Sequence, residues 1–270
     1  SAQTYPSLSG YTGRATTPRP AVGSALDPIA EGAGCPFKNV MRCALPFRIP
    51  YVAQSLWNIG ADGYPTSLAD RRVATTSILG KLGNGNYPAG AYVLLFDGAG
   101  TVSVGGDAGL ASASASSTGA TNTRLPFTVA AATEQGIHVT INTTTQGGHV
   151  TNIRVGLASD ESAITNAAST AVGDVWDSAW LSLVSEYDVL FLPHWQREWR
   201  NTYEDNPPSW NARPRLATHM TQATDLGVSH DAAVLLADAA RTDLWIAAPW
   251  NCDDAYMRSL ADLYAQSPAY

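Results

Sequence analysis

Short alternating and apolar runs fill the middle of the chain and predict β-structure. Several short strands at near-regular spacing are typical of a β-sandwich. The runs predicted as strands are residues 91–96, 101–104, 125–129, 136–142 and 150–155. Residues 105–123 are rich in Gly, Ser, Ala and Thr, and we expect a long exposed loop there because no large side chain is available for burial.

After residue 156 the pattern changes to an α/β type. Residues 189–192 and 244–248 are short continuous apolar runs, which are typical of buried parallel strands. Helical periodicity is found in residues 161–185, 230–241 and 254–266, and Ser229 is placed to cap the second of these helices. The order strand–helix–strand–helix predicts parallel βα units.

These patterns divide the chain into three parts. They predict an all-β part followed along the chain by an α/β part. Residues 1–44 show no periodicity and are predicted to be an extended N-terminal arm. Residues 45–157 are predicted to form the β-sandwich module. Residues 158–270 are predicted to form the first βα units of a TIM-like barrel, which is incomplete in this chain.

The amino-acid composition limits the kinds of molecule that the protein can bind. Charged residues make up 14% of the chain, against roughly 25% in a typical soluble domain, and the net charge is −7. Nucleic-acid binding requires a basic surface, so this class is excluded. No apolar run approaches the ~20 residues of a membrane span. A surface of uncharged polar residues is common in extracellular proteins that meet neutral polymers.

The termini and cysteines are consistent with a secreted protein. The chain begins Ser1-Ala2-Gln3, as a mature protein does after signal-peptide removal, although an arbitrary start is an open alternative. Cys35 and Cys43 are predicted to form a local disulfide and Cys252 to be a buried thiol; the alternative is three free thiols. The sequon at Asn142 is a candidate glycosylation site.

A series of short motifs occurs in a characteristic order along residues 45–265. The motifs are Asp62-Gly63-Tyr64-Pro65, Asp97-Gly98-x-Gly100-Thr101, Asn152-Ile153-Arg154-Val155, Trp210 with Arg213-Pro214, and Asp253-Asp254-x-Tyr256. In this order they resemble a family of secreted bacterial and algal proteins described as cellulose-binding or glycoside-hydrolase-like. The resemblance implies a small β-sandwich joined to an (α/β)8 barrel of the retaining-glycosidase type.

The chain departs from that family in one respect that bears on catalysis. The resemblance implies a general acid/base Glu directly after an Asn, and no Asn-Glu pair occurs in this sequence. A full barrel takes about 250 residues, whereas the chain ends about 110 residues after residue 160. We therefore expect a further chain segment, a partner or self-assembly to complete the barrel, or a non-catalytic use of the fold.

The candidate site residues come directly after the two predicted parallel strands, because barrel sites lie at the carboxyl ends of strands. Glycosidases need a pair of carboxyl groups, and the candidates here are Glu198, Asp253 and Asp254; the alternative roles are a surface ion pair or a helix cap. The candidates for substrate binding are His194, Trp195, Arg197, Trp210, Trp250 and Asn251. For the tryptophans the alternative is core packing.

The sequence is compatible with two functions. The first is an extracellular glycoside-hydrolase-like protein that acts on or binds a neutral polysaccharide. The second is a non-catalytic carbohydrate-binding or structural subunit of a surface, appendage or particle. No cofactor is expected, since nucleotide and serine-hydrolase motifs are missing. No metal site is expected, because the His and Cys residues lack ligand spacing.

Overall fold

The fold is given by a computed structural model that describes residues 22–26, 29–50, 57–68, 72–109, 113–166, 169, 171–192, 195–196, 209–223 and 227–265. The strands in this part of the chain are β1 Gly23–Ala25, β2 Ala74–Ile78, β3 Gly90–Asp97, β4 Ala99–Gly106, β5 Ser114–Thr118, β6 Thr123–Val129, β7 Ile137–Thr144, β8 Thr151–Leu157, β9 Val189–Leu192 and β10 Asp243–Ile246. The helices are α1 Glu161–Ile164, α2 Val172–Val175, α3 Ser178–Val184, α4 His230–Ala240 and α5 Asp254–Ala265.

The alternating runs form two antiparallel sheets. One sheet has four strands in the order β2-β7-β4-β5, and the other has three in the order β6-β3-β8. In β7, Ile137, Val139 and Ile141 are fully buried, while the residues between them are half-buried. The buried side chains of both sheets belong to one hydrophobic cluster. Burial of each such side chain stabilises the fold by about 1.5–3 kcal/mol.

The prediction of a continuous loop over residues 105–123 is wrong in part. Ser114–Thr118 forms β5, which pairs antiparallel with β4 at the edge of the four-stranded sheet. Its residues alternate between exposed and half-buried positions. An edge strand needs only one hydrogen-bonded neighbour, so small side chains are sufficient, and Ala113 and Ala115 pack against the core cluster.

The third sheet is parallel and joins distant parts of the chain. Its strand order is β1-β9-β10, with β9 in the centre. Leu190 and Leu192 of β9 are fully buried against α4, as the continuous apolar run predicts. The side chain of Ser229 accepts a hydrogen bond from the backbone N–H of Ala232 at 3.2 Å, so the predicted cap of α4 is confirmed.

The predicted fold class, a β-sandwich followed by the first units of a TIM-like barrel, is wrong. The described residues form sheets of four, three and three strands with few helices. The strand beside β9 is β1, which precedes both antiparallel sheets in the chain, so this sheet is not a series of consecutive barrel units. A continuous apolar run indicates a buried parallel strand but does not identify its neighbours, which explains the error. For residues 45–157 the structure gives two antiparallel sheets and does not establish a sandwich.

The segment before the antiparallel sheets packs against both hydrophobic clusters. Ile29 and Phe37 are buried with the parallel sheet, and Met41 is buried with the antiparallel sheets. Cys35 and Cys43 form the predicted disulfide, with their Cα atoms 5.8 Å apart. The predicted boundaries at residues 44 and 157 stay predictions. Within the described ranges, every helix is too short or too polar to cross a bilayer.

Candidate functional site

The parallel sheet has one buried face and one exposed face. Strand residues alternate in direction, so Leu190 and Leu192 face the core, while Phe191 between them is 36% exposed. On β10 the equivalent exposed residue is Trp245, at 66%. Parallel sheets are usually covered on both faces. An open face that carries large aromatic side chains therefore indicates a binding surface.

The strand register brings these aromatic residues together. Phe191 is aligned with Trp245 on one side and with Ala25 of β1 on the other. The rings of Phe191 and Trp245 are in contact, with centroids 5.1 Å apart and planes inclined by 48°. We call Ala25, Phe191 and Trp245 the aromatic face. The small side chain of Ala25, which is exposed, leaves the edge beside Phe191 open.

The loop after β10 carries two of the predicted substrate-binding residues. Trp250 is 71% exposed. The side chain of Asn251 is half-buried, and its Oδ1 atom is inaccessible to solvent and has no hydrogen-bond partner among the described residues. A buried amide oxygen without a donor is costly. The loop therefore presents an indole to solvent beside an unsatisfied acceptor.

The two described candidate carboxylates lie at the start of α5. The Oδ1 atom of Asp253 accepts a hydrogen bond from the backbone N–H of Tyr256 at 2.7 Å, which is the geometry of an N-terminal cap. Asp254 is exposed in the first turn, where a negative charge is favourable to the helix dipole. Both positions match the helix-cap alternative. Glu198, the third candidate, lies outside the described residues, as do His194 and Arg197.

The predicted tryptophans have different surroundings. Trp195 is fully buried, and its ring contacts that of Trp176 with centroids 6.5 Å apart, so it has no surface to offer a sugar. The Arg213 guanidinium lies 3.9 Å from the centre of the Trp210 ring, and the edge of Tyr256 contacts the same ring. Trp210 is therefore covered by protein on at least one face.

The predicted glycosylation residue lies within a central strand. Asn142 is on β7 and is half-buried. Its Nδ2 atom, to which a glycan would attach, donates a hydrogen bond to the Ser103 Oγ atom at 2.8 Å. Attachment of a glycan would replace one of the two hydrogens on this nitrogen and leave a single N–H as a donor.

The aromatic face was not predicted, because Phe191 and Trp245 were interpreted as parts of two continuous buried runs. The available signal was the strand period of two, which places every second residue of such a run on the opposite face. Asp243, two residues before Trp245 on the same face of β10, is exposed and interrupts the apolar character of that face. Among the described residues, no group of three His, Cys, Asp or Glu side chains is arranged to hold a metal ion.

Comparison with known proteins does not assign the chain to a family. No family model, no curated protein and no solved structure is significantly similar to it. The resemblance to cellulose-binding and glycoside-hydrolase-like proteins is therefore an expectation from the sequence motifs.

Proposed function

We propose that this protein is an extracellular carbohydrate-binding protein that holds a neutral polysaccharide against its aromatic face. The observation that carries the proposal is the exposed contact pair of Phe191 and Trp245 on one face of the parallel sheet. The disulfide between Cys35 and Cys43 supports the extracellular setting, because such bonds persist in oxidising compartments.

Sugar rings and aromatic rings are suited to each other. One face of a pyranose ring is lined with C–H groups, which pack on the electron-rich face of an indole, while the hydroxyl groups at the ring edge stay in water. Pairs of aromatic rings gain about 0.5–1.5 kcal/mol beyond the area that they bury, and we expect a sugar ring stacked on an indole to gain a similar amount. The aromatic face alone thus binds a single sugar weakly. A polymer is bound more tightly because it offers many equivalent sites.

The charges near the aromatic face favour a neutral polymer. Asp243 places a carboxylate on the same face of β10, two residues before Trp245. The whole chain carries a net charge of −7. An acidic polysaccharide would meet repulsion from the protein as a whole.

Binding is better supported than hydrolysis. Hydrolysis requires two carboxyl groups at a defined separation, about 5–5.5 Å in retaining enzymes and 6.5–9.5 Å in inverting ones. Asp253 is engaged in capping α5, and Asp254 is exposed beside it. Both residues are exposed, and neither lies in the apolar pocket that a general acid of a glycosidase occupies.

The test is retention on insoluble and soluble polysaccharides. We would measure binding of the wild type to cellulose, xylan, mannan and chitin, in pull-down and affinity-electrophoresis assays. Trp245→Ala and Phe191→Ala should each reduce retention severalfold. Leu183→Ala is a matched control, because Leu183 is also an exposed large apolar residue but lies on α3. Equal retention of Trp245→Ala and Leu183→Ala would contradict the proposal.

A second measurement separates a carbohydrate surface from a protein interface. Size-exclusion chromatography with light scattering should show that Trp245→Ala leaves the oligomeric state unchanged. If instead the wild type forms an oligomer that Trp245→Ala dissociates, and no glycan is retained, the aromatic face is a protein interface and the proposal fails.

A further inference from the structure

A polar cleft lies on another part of the molecule, between the disulfide-bonded segment and β8. It is small and partly open to solvent. Four separate segments line it, and they contribute Asn39, Arg42, Tyr64, Arg154 and His219. No residue of the aromatic face lines the cleft, so a ligand bound in the cleft would be independent of the proposed function.

Arg42 is a buried cation with no counter-ion among the described residues. The residue is 5% exposed. In the part of the chain that the structure describes, no carboxylate lies within salt-bridge distance of its guanidinium. The aromatic ring of Phe37, 5.7 Å away, is its described cation–π partner. Burial lowers the pKa of Arg42 to about 10, so the group is still charged at neutral pH.

Among the described residues, two other arginines with largely buried side chains have counter-ions. Arg154 lines the same cleft and is 2% exposed, but it pairs with Asp97 at 3.3 Å and donates to the Asn122 Oδ1 atom. Arg213 pairs with Asp231 at 3.3 Å. Taking an unpaired charge out of water costs several kcal/mol. The buried charge of Arg154 is explained by its pair with Asp97. The buried charge of Arg42 has no such partner among the described residues and needs another explanation.

The backbone of the arginine is fixed in position by a neighbouring segment. The carbonyl oxygen of Arg42 accepts hydrogen bonds from the backbone N–H of Gln222 at 2.7 Å and from the Thr221 hydroxyl at 3.1 Å. Cys43, the next residue, is held by the disulfide. The backbone from which the Arg42 side chain projects is thus fixed before a ligand binds.

The other polar groups of the cleft offer donors. The Asn39 Oδ1 atom accepts from the N–H groups of Met41 and Val155, so its amide nitrogen is the group left to interact. The His219 Nδ1 atom accepts from the Arg215 N–H at 3.0 Å, so the neutral ring carries its proton on Nε2. The Tyr64 hydroxyl is saturated by the backbone of Ile153. No carboxylate is among the described residues that line the cleft.

We infer that this cleft is a binding site for a single small oxyanion, a carboxylate, phosphate or sulfate group, held by the guanidinium of Arg42. Guanidinium groups bind such anions through paired N–H donors, and the bond is strongest where water is excluded. The neighbouring donors suit the same charge. No carboxylate among the described residues lines the cleft, and the nearby carboxylate of Asp97 is already paired with Arg154.

The test compares salts at constant ionic strength. We would follow thermal unfolding of the full chain in acetate, phosphate and sulfate, with sodium chloride as the reference, and measure affinity by calorimetry. The wild type should show a saturable rise in Tm with at least one oxyanion, and the salt that acts identifies the group. Arg42→Met should abolish the saturable rise, and Arg42→Lys should weaken affinity about tenfold.

Two further variants control the experiment. Arg124→Gln is the matched control, because Arg124 is an exposed arginine that pairs with Glu161 on the surface, and it should respond as the wild type does. Sulfate stabilises proteins in general, and this unsaturable effect should be present in all variants. His219→Phe removes a donor while Arg42 is retained, so it should weaken binding even if Arg42→Met does not fold.

Either of two results would overturn the inference. One is a wild-type Tm that responds to the oxyanions no differently from chloride at equal ionic strength. The other is a saturable response in Arg42→Met that equals the response of the wild type and of Arg124→Gln.

Discussion

The hydroxyl of Tyr64 satisfies both backbone groups of Ile153. It accepts a hydrogen bond from the Ile153 N–H at 2.9 Å and donates one to the Ile153 carbonyl oxygen at 3.3 Å. Tyr64 precedes the antiparallel sheets, and Ile153 lies on β8. A single buried hydroxyl thus takes the place of a neighbouring strand beside β8.

Tyr64→Phe should destabilise the protein by about 1–3 kcal/mol, because it leaves a buried N–H and a buried C=O without partners. Urea unfolding measures the change. Tyr92→Phe is the control: the Tyr92 hydroxyl donates to only one backbone oxygen, that of Pro88, so the loss should be smaller. Equal losses in the two variants would show that the double contact with Ile153 adds nothing.

The disulfide between Cys35 and Cys43 should stabilise the fold mainly by restricting the unfolded chain. For its sequence separation of 8, the chain-entropy relation gives about 2.5 kcal/mol. The double variant Cys35→Ser/Cys43→Ser should lose about this amount in urea unfolding, and a reducing agent should then have no further effect. Cys252→Ser should leave the stability unchanged, since Cys252 is a free thiol that is half-buried and not buried as predicted.

Asp97 should contribute stability that depends on pH. Partial burial opposes its ionisation, but hydrogen bonds from Asn122, Asn152 and Arg154 outweigh this and hold the pKa of Asp97 below its usual value. The carboxyl group therefore stabilises the fold at pH values above its pKa in the unfolded chain, which is near 4. This stabilisation is lost as the pH falls through its lower pKa in the folded protein.

Asp97→Asn should therefore cost about 2–4 kcal/mol at pH 7, where it leaves buried Arg154 without its counter-ion. The difference between variant and wild type should shrink as the pH is lowered below 4. Urea unfolding at pH 7 and at pH 3 measures both values. A difference that is the same at the two pH values would contradict the ion-pair explanation.

His230 should make the protein less stable as the solution becomes mildly acidic. Burial, assisted by the charge of Arg213, lowers the pKa of His230 to about 4. The unfolded chain binds a proton near pH 6.5 and the folded protein does not, so stability should fall as pH is lowered from about 6.5 to about 4. His230→Gln should remove this part of the pH dependence in urea unfolding. A slope that persists in the variant would assign it to other groups.

The sequence was sufficient to predict individual strands and helices where burial imposes a strict spacing of apolar residues. Residues 136–142 were predicted as a strand and form most of β7, because alternate burial of three β-branched side chains leaves one register possible. Ser229 was recognised as a cap because only a few residue types can accept the free N–H groups at a helix start.

The sequence was not sufficient where the deciding contact comes from a distant residue. Nothing in the small polar residues of β5 shows that β4 will pair with them. Asp253 could be assigned to catalysis or to capping until the hydrogen bond to Tyr256 was seen. The isolation of Arg42 is likewise a property of the folded chain, since it depends on which carboxylates other segments bring near.

The position of β1 in the parallel sheet has a consequence for folding during synthesis of the chain. Its pairing with β9 joins residues 166 positions apart, as does the hydrogen bond from the Val22 N–H to Asp188. At roughly 5–20 residues per second of synthesis, β1 waits about 10–30 s for its partner to be made. During that interval the short first strand is an unpaired segment that a chaperone can hold. The sheet that presents the aromatic face is therefore the last to assemble, because its strand β10 is made after every strand of the two antiparallel sheets.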